Sequence, residues 1–238
     1  LEEFLQQAID LQQAIPGESR WVSDSTRNPQ VLSVASGATL NAQNGSVIPT
    51  GAAVTANGLV NLLNSAVTLQ TLLGNGTVAL NTTDLTLSNG TFGGGINGTG
   101  TLVKTSGGLL TLSGSNAYSG ATNVNVGTLS LSGTLASTAV SVASGATLTF
   151  STPLTGSGAL TKTGAGLLEL AGTQALTGLT TISAGTFNLS GTLSSTALTL
   201  ASGATFLGKG VLAGTATLLS GGTIFAGTSG TVGSLTLG

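Results

Sequence analysis

Few side chains of this 238-residue chain could do chemistry, and those few are far apart. The chain has no Cys, His or Met, and after residue 27 its only charged residues are Asp84, Lys104, Lys162, Glu169 and Lys209. Glycosidic cleavage needs two carboxylates side by side, or a carboxylate cluster that binds calcium. Asp84 and Glu169 are widely separated in the sequence. Without His or Cys, neither a Ser-His triad nor a common zinc site can form. The sequence therefore predicts no enzyme and no bound cofactor or metal.

The charge content excludes two further classes of partner. Charged residues make up 5% of the chain, against roughly 25% in average proteins. With a net charge of −2 and no basic cluster, the chain cannot neutralise several phosphates, so we expect no nucleic-acid binding and no attachment to an anionic membrane. No apolar run reaches the length of a membrane-spanning helix, so we expect no membrane insertion. No signal peptide opens the sequence, which favours a mature chain or a fragment.

The sequence contains a long internal repeat. The stretch LVKTSGGLLTLSG at 102–114 returns as LTKTGAGLLELAG at 160–172, and residues 116–148 align without gaps on 174–206. Within and around these copies, glycines recur at nearly equal intervals between alternating apolar segments, at Gly107, Gly127, Gly145, Gly166, Gly185, Gly203 and Gly222. The stretch between two successive glycines is too short for paired helices.

The alternation within each of these intervals predicts strands. Val140 and Val142, like Leu198 and Leu200, alternate with Ser or Thr, which is the period of a strand with one buried face. Three short strands and three turns make one coil, and such coils bury their apolar faces by stacking on their neighbours. We therefore predict an all-β fold, a right-handed parallel β-helix of about eleven coils over residues 30–238. A β-sandwich is the less favoured alternative, because Greek-key connections do not explain the repeat.

One part of the sequence resembles a known family. The order of residues in 91–129 is similar to the autotransporter-associated β-strand repeat of bacterial surface proteins, which is carried here by Gly98, Gly100, Leu102, Lys104, Leu110, Leu112, Gly114, Asn116, Tyr118, Gly120, Thr122, Gly127, Thr128 and Leu129. The second copy keeps Lys162 and departs at Gln174 and Leu176, where the family favours Asn and Tyr. The resemblance implies a β-helical passenger, a structural role and a secreted or cell-surface location.

Two features of the repeat allow functional hypotheses. Lys104 and Lys162 occupy equivalent positions, so they could form a ligand-binding ladder, although we expect them to be solvated residues that protect exposed strands. Thr-x-Thr segments at 147–149, 161–163 and 215–217 could bind ice on a flat face, but they do not recur once per coil. Neither hypothesis is favoured over a purely structural repeat.

Residues 1–29 differ from the rest of the chain and form a separate segment. Leu1, Phe4, Leu5 and Ile9 make an apolar helical stripe that ends at Pro16–Gly17. This short α-helix either caps the first coil or contacts another molecule. At the other end, Leu235 and Leu237 lie in an uncharged alternating segment, an open edge that another chain could cover. These six residues are the predicted assembly contacts of a head-to-tail filament.

The sequence thus predicts a secreted bacterial structural protein. In this hypothesis a stiff, inert rod assembles with copies of itself into an extracellular filament or surface matrix, where cell-surface or matrix polysaccharide is a second candidate partner. The alternative is the stalk of an autotransporter-type adhesin that displays or binds a ligand.

Overall fold

The protein is described by a computed structural model that covers most of the repeat region. The described residues are 21–22, 31–42, 48–63, 66–136, 139–152, 155–156, 159–195, 197–228, 231–232 and 236–237. In these ranges the chain forms strands and turns but no helix. The predicted N-terminal helix lies outside them, as do Leu1, Phe4, Leu5, Ile9 and Leu235.

Thirty short strands follow one another in the described part of the chain. The first ten are β1 (Trp21–Val22), β2 (Val31–Val34), β3 (Thr39–Ala42), β4 (Ala52–Ala56), β5 (Leu59–Leu62), β6 (Ala66–Gly74), β7 (Thr77–Asn81), β8 (Asp84–Phe92), β9 (Gly95–Gly98) and β10 (Leu102–Lys104). The next ten are β11 (Leu109–Leu112), β12 (Asn116–Tyr118), β13 (Thr122–Val124), β14 (Thr128–Leu131), β15 (Ala139–Val142), β16 (Thr147–Phe150), β17 (Thr155–Gly156), β18 (Leu160–Thr163), β19 (Leu167–Leu170) and β20 (Thr173–Leu176). The last ten are β21 (Thr180–Ile182), β22 (Thr186–Leu189), β23 (Thr192–Leu193), β24 (Ala197–Leu200), β25 (Thr205–Gly208), β26 (Val211–Leu212), β27 (Thr215–Leu218), β28 (Thr223–Thr228), β29 (Thr231–Val232) and β30 (Thr236–Leu237).

The strands stack in parallel on three faces of a β-solenoid. Face A holds the first halves of β6 and β8, then β10, β13, β15, β18, β21, β24 and β27. Face B holds β2, β4, the second halves of β6 and β8, then β11, β14, β16, β19, β22, β25 and β28. Because β6 and β8 continue around the corner, faces A and B form one 20-stranded sheet.

Face C is divided into two sheets. Its first five strands are β3, β5, β7, β9 and β12, and its last five are β17, β20, β23, β26 and β30. Between them the described residues show only an isolated bridge from Asn116 to Leu135. The ladder that runs without a break along faces A and B is therefore interrupted on face C.

The solenoid has about nine turns, fewer than the eleven that the glycine spacing predicts. In the two coils before β6, the described residues supply strands to faces B and C, β2 with β3 and β4 with β5. Where the second of these coils would reach face A, Ala52 N donates to Pro49 O at 3.1 Å in a tight turn. Proline has no N–H to offer a ladder, so we attribute the missing strand to this residue. Nine turns at about 4.8 Å each span roughly 40 Å.

The core consists of apolar side chains stacked in columns along the axis. On face B, Leu110, Leu129, Leu148 and Leu168 pair in successive turns, and each is fully buried. The column continues through Phe187 and Phe206, whose rings stack with centroids 5.1 Å apart, to Ile224 in the last turn of this face. Alternation predicts that at least one leucine of each pair, 110/112 and 168/170, points inward, and all four are buried.

Glycine permits the corner that leads into face B. Gly145 and Gly203, one repeat unit apart, both have φ of 75° and would meet no atom within 4 Å if they carried a Cβ. Their requirement is therefore conformational rather than steric, because L-residues avoid this region. At two other predicted corners the positive φ belongs to a neighbour, Gly164 instead of Gly166 and Gly221 instead of Gly222.

The two ends of face B carry short antiparallel strands. Strand β1 pairs antiparallel with β2 at one end, and β29 pairs antiparallel with β28 at the other. In the described residues each covers two positions of its neighbour, Ser33 and Val34 of β2 and Gly227 and Thr228 of β28, and leaves the remaining positions of that edge unpaired. On face A the last described strand, β27, leaves Leu218 with 47% of its surface exposed.

A search of the described residues finds no helix with the length and apolar character needed to span a bilayer.

Candidate functional site

The carboxylates are kept apart by the solenoid. Asp84 begins β8 on face A, whereas Glu169 lies in β19 on face B, four turns further along. Each serves a local contact: Thr101 N donates to Asp84 Oδ1 at 2.9 Å, and Asn188 Nδ2 donates to Glu169 Oε1 at 3.2 Å. Four turns correspond to about 19 Å along the axis, so these two groups cannot act on one bond together.

The expectation that Lys104 and Lys162 are solvated is wrong, because both side chains are fully buried. Each lies two residues after a buried leucine, Leu102 or Leu160, and strand periodicity turns residues at this spacing to the same side. That parity was visible in the sequence, but the positive charge argued for the surface. As buried residues they cannot form a surface ladder for a ligand.

Each buried ammonium group is held by backbone carbonyl oxygens at the corner between faces A and B. Lys162 Nζ donates to Gly164 O at 2.7 Å, to Ala184 O at 2.9 Å and to Thr163 O at 3.3 Å. Lys104 Nζ donates to Ser106 O and, at 3.2 Å, to Val126 O. In both copies one acceptor belongs to the lysine's own corner and another to the corner of the next turn. We call these two arrangements the lysine corners.

Electrostatics at the lysine corners is unusual because no carboxylate among the described residues pairs with either ammonium group. Burial lowers the pKa of Lys162 to about 8, since the desolvated ammonium form is disfavoured. Burial also lowers the pKa of Lys104. The carbonyl dipoles favour the charged form. With a pKa of about 8, Lys162 still carries its proton at neutral pH. The lysine corners tie adjacent turns together; being closed to solvent, they offer no surface on which a substrate could react.

A second buried polar group distinguishes the two copies of the repeat. In the first copy, the Tyr118 hydroxyl and Thr122 Oγ1 share a hydrogen bond of 2.7 Å in the core. In the second copy Leu176 stands at the tyrosine position, and the Oγ1 of the equivalent Thr180 has no hydrogen-bond partner in the described part of the chain. The departure from the family pattern at Leu176 thus leaves one buried hydroxyl unpaired.

The surface carries two polar ladders, one of threonines on face A and one of asparagines on face C. The sequence predicted only separate Thr-x-Thr segments. On face A, Thr161, Thr181, Thr199 and Thr217 pair in four successive turns. On face B, Thr147 and Thr149 are followed in the next turn by Leu167 and Glu169, so a Thr-x-Thr array does not develop there. Register could not be read from the sequence, because the coils differ slightly in length.

The second ladder consists of asparagine side chains on face C. Asn81 Nδ2 donates to Asn61 Oδ1 at 2.8 Å, and Asn61 Nδ2 donates to Asn41 Oδ1 at 2.9 Å. This asparagine ladder spans three turns. Of the predicted assembly contacts, only Leu237 falls in a described strand, β30, where it pairs with Leu212.

Comparison with known proteins supports the resemblance seen in the sequence. Residues 102–131 and 160–189 each match the passenger-associated-transport-repeat family. Each match runs from a face A strand through the lysine corner and one further turn, β10 to β14 in the first copy and β18 to β22 in the second. No curated protein and no solved structure matches the chain. The fold and these two segments define the class: a parallel β-solenoid that carries passenger-type repeats.

Proposed function

We propose that this protein is a secreted or cell-surface structural rod of a bacterium, with the architecture of an autotransporter passenger. The observation that carries the proposal is the parallel ladder of faces A and B around an apolar core, which contains two passenger-associated repeats. Such a ladder gives length and stiffness. The separated carboxylates and the closed lysine corners offer no reaction, so we propose no enzymatic activity.

We further propose that copies of the rod associate end to end into a filament or matrix. Support comes from face A, where Leu218 and Leu219 are each 47% exposed and belong to the last described turn of that face. A second copy could cover them and extend the ladder. On face B, β29 pairs only with Gly227 and Thr228 of β28 among the described residues, and Phe225 is 55% exposed, so the edge of face B is also available to a second copy.

Sedimentation velocity and negative-stain electron microscopy of the intact chain test this proposal. We expect concentration-dependent filaments that are lost in the double variant Leu218→Lys, Leu219→Lys. The matched control is Leu109→Lys, since Leu109 is 54% exposed on the outside of face B, far from the end. Deletion of residues 1–29 tests the predicted N-terminal contacts separately. A monodisperse monomer at high concentration would refute filament assembly and leave the rod itself unaffected.

The alternative function is an adhesin stalk that displays or binds a ligand such as matrix polysaccharide. The threonine and asparagine ladders favour it, because they present hydroxyl and amide groups at the regular spacing of the turns. Binding of the intact chain to purified surface polysaccharide, measured by co-sedimentation, tests this alternative. Absence of binding, together with filaments in the microscope, would favour the structural role.

A further inference from the structure

Asparagine 97 lies in a sequence pattern that is an acceptor for N-linked sugars. Six asparagines of the chain are followed by any residue except proline and then by Ser or Thr: Asn44, Asn75, Asn81, Asn89, Asn97 and Asn188. This Asn-x-Ser/Thr pattern is the acceptor signal for N-glycosylation in exported proteins. In a chain so rich in Thr the pattern arises readily by chance, so the structure must decide which asparagine could carry a sugar.

Of the other sites, three have side chains that are hydrogen-bonded, and the exposed Asn75 lies against a glycine of the next turn. Asn81 Nδ2 donates to both Asn61 Oδ1 and Leu62 O, at 2.8 Å each. Asn188 Nδ2 donates to Glu169, and its Oδ1 is buried. Asn89 Oδ1 accepts a hydrogen bond from Thr71 at 2.8 Å. The amide of Asn75 packs over Gly93, where a Cβ would come within 2.2 Å of its oxygen. Asn44 lies outside the described residues.

Asn97 is exposed like Asn75 and Asn81, but its neighbours set it apart from them. Its side chain is exposed near the end of β9 on face C, and within the described chain it makes no side-chain hydrogen bond. Its neighbours in the ladder are Ala79 on one side and Ala117 on the other. Two alanines leave open space along the face, so a bulky group on Asn97 meets no large side chain.

The third residue of the pattern is also accessible. Thr99 is exposed, and its Oγ1 donates to Asn81 O at 2.9 Å. Between Asn97 and Thr99, Gly98 has φ of 121° and ends the strand. The acceptor segment therefore begins in the ladder at Asn97 and ends in the turn after β9, and both Asn97 and Thr99 are exposed.

From this geometry we propose that Asn97 is an N-glycosylation site. A transferase would join Asn97 Nδ2 to C1 of a sugar carried on a nucleoside diphosphate. The new bond is C1–N, the bond that breaks is C1–O to the phosphate, and the nucleoside diphosphate leaves with that electron pair. One amide proton passes to a base of the transferase. The sugar adds a hydrated group between two alanines, Ala79 and Ala117.

Mass spectrometry of the chain purified from the cells that naturally make it tests the proposal. We expect the segment containing Asn97 to carry the added mass of one or more hexoses. Thr99→Ala should abolish the added mass, whereas Thr99→Ser should preserve it, because serine keeps the hydroxyl that the pattern requires. Asn61 is the internal control: it is an asparagine of the same face without Ser or Thr two residues later.

Three results would overturn the proposal: an unmodified Asn97, a sugar on Asn97 that survives Thr99→Ala, or a sugar on Asn81 in place of Asn97. Thermal melting of the Thr99 variants checks that each remains folded. The outcome is independent of filament assembly, which is measured on the same material by sedimentation.

Discussion

The unpaired hydroxyl of Thr180 allows a stabilising substitution, with a built-in control in the other copy of the repeat. Thr180→Val replaces the hydroxyl by a methyl group of similar size. A buried polar group without a partner costs about 1–3 kcal/mol, and this one has no partner among the described residues. We therefore expect Thr180→Val to raise the free energy of unfolding by about 1 kcal/mol, the low end of that range, because valine repacks imperfectly.

The same substitution in the first copy should have the opposite sign. Thr122→Val removes the partner of the buried Tyr118 hydroxyl, 2.7 Å away, and should lower the stability by about 1–3 kcal/mol. Adding Tyr118→Phe to Thr122→Val should recover part of this loss, since the tyrosine hydroxyl is then absent as well. Urea unfolding followed by circular dichroism measures all four proteins, and for a chain of this size 1 kcal/mol shifts the Tm by about 2–4 °C. If the two valine variants changed stability in the same direction and by the same amount, the assignment of paired and unpaired hydroxyls would be refuted.

Three further predictions concern the buried lysines, the core and proteolysis. Because the pKa of Lys162 falls from 10.5 to about 8 on folding, the unfolded chain binds more protons between these pH values, and stability should rise with pH across this window, by at most about 3 kcal/mol. Above pH 10 the raised pKa of buried Tyr118 lowers the stability as the pH rises, so the Tm of the wild type should peak near pH 10. A Lys162→Met variant with the same pH slope between 8 and 10 would contradict the burial of the Lys162 ammonium group. Leu110→Asp should lower stability by several kcal/mol, while Leu109→Asp, on the outer side of the same strand and 54% exposed, should change it by under about 0.5 kcal/mol; equal melting temperatures would contradict the inward–outward assignment. Native trypsin should cut after Lys209, which is exposed, and spare the buried Lys104 and Lys162, and mass spectrometry that found early cleavage at Lys104 would show the lysine corners to be open.

Much of the fold could be predicted from the sequence because every coil must bury apolar side chains at its inward positions and turn a corner between its strands. Alternation placed Leu110 and Leu168 in the core, and the recurring glycines marked the corners. The lysine corners were missed because the charge of Lys162 outweighed its parity with Leu160, and only the structure shows the carbonyl oxygens that receive it. Pairing partners could not be predicted either. In the turn after Lys104, the residue paired with it is Val124, which in turn pairs with Val142. Lys162, one turn further along, pairs not with Val142 but with Val140, two residues earlier in the same strand. The register of the ladder therefore shifts between the copies, a shift set by the lengths of the intervening coils.

The division of face C into two sheets has a mechanical consequence. A rod resists bending through the hydrogen bonds that hold successive turns together on its outer and inner sides. Faces A and B keep theirs throughout, but on face C the described strands of the two sheets are joined by no ladder beyond the bridge at Leu135. The resistance to bending is therefore lower on face C, between its two sheets, than on faces A and B. Under a lateral load, such as flowing liquid on a cell surface, it should flex at this point and in one plane, opening or closing along face C, while each segment on either side stays straight.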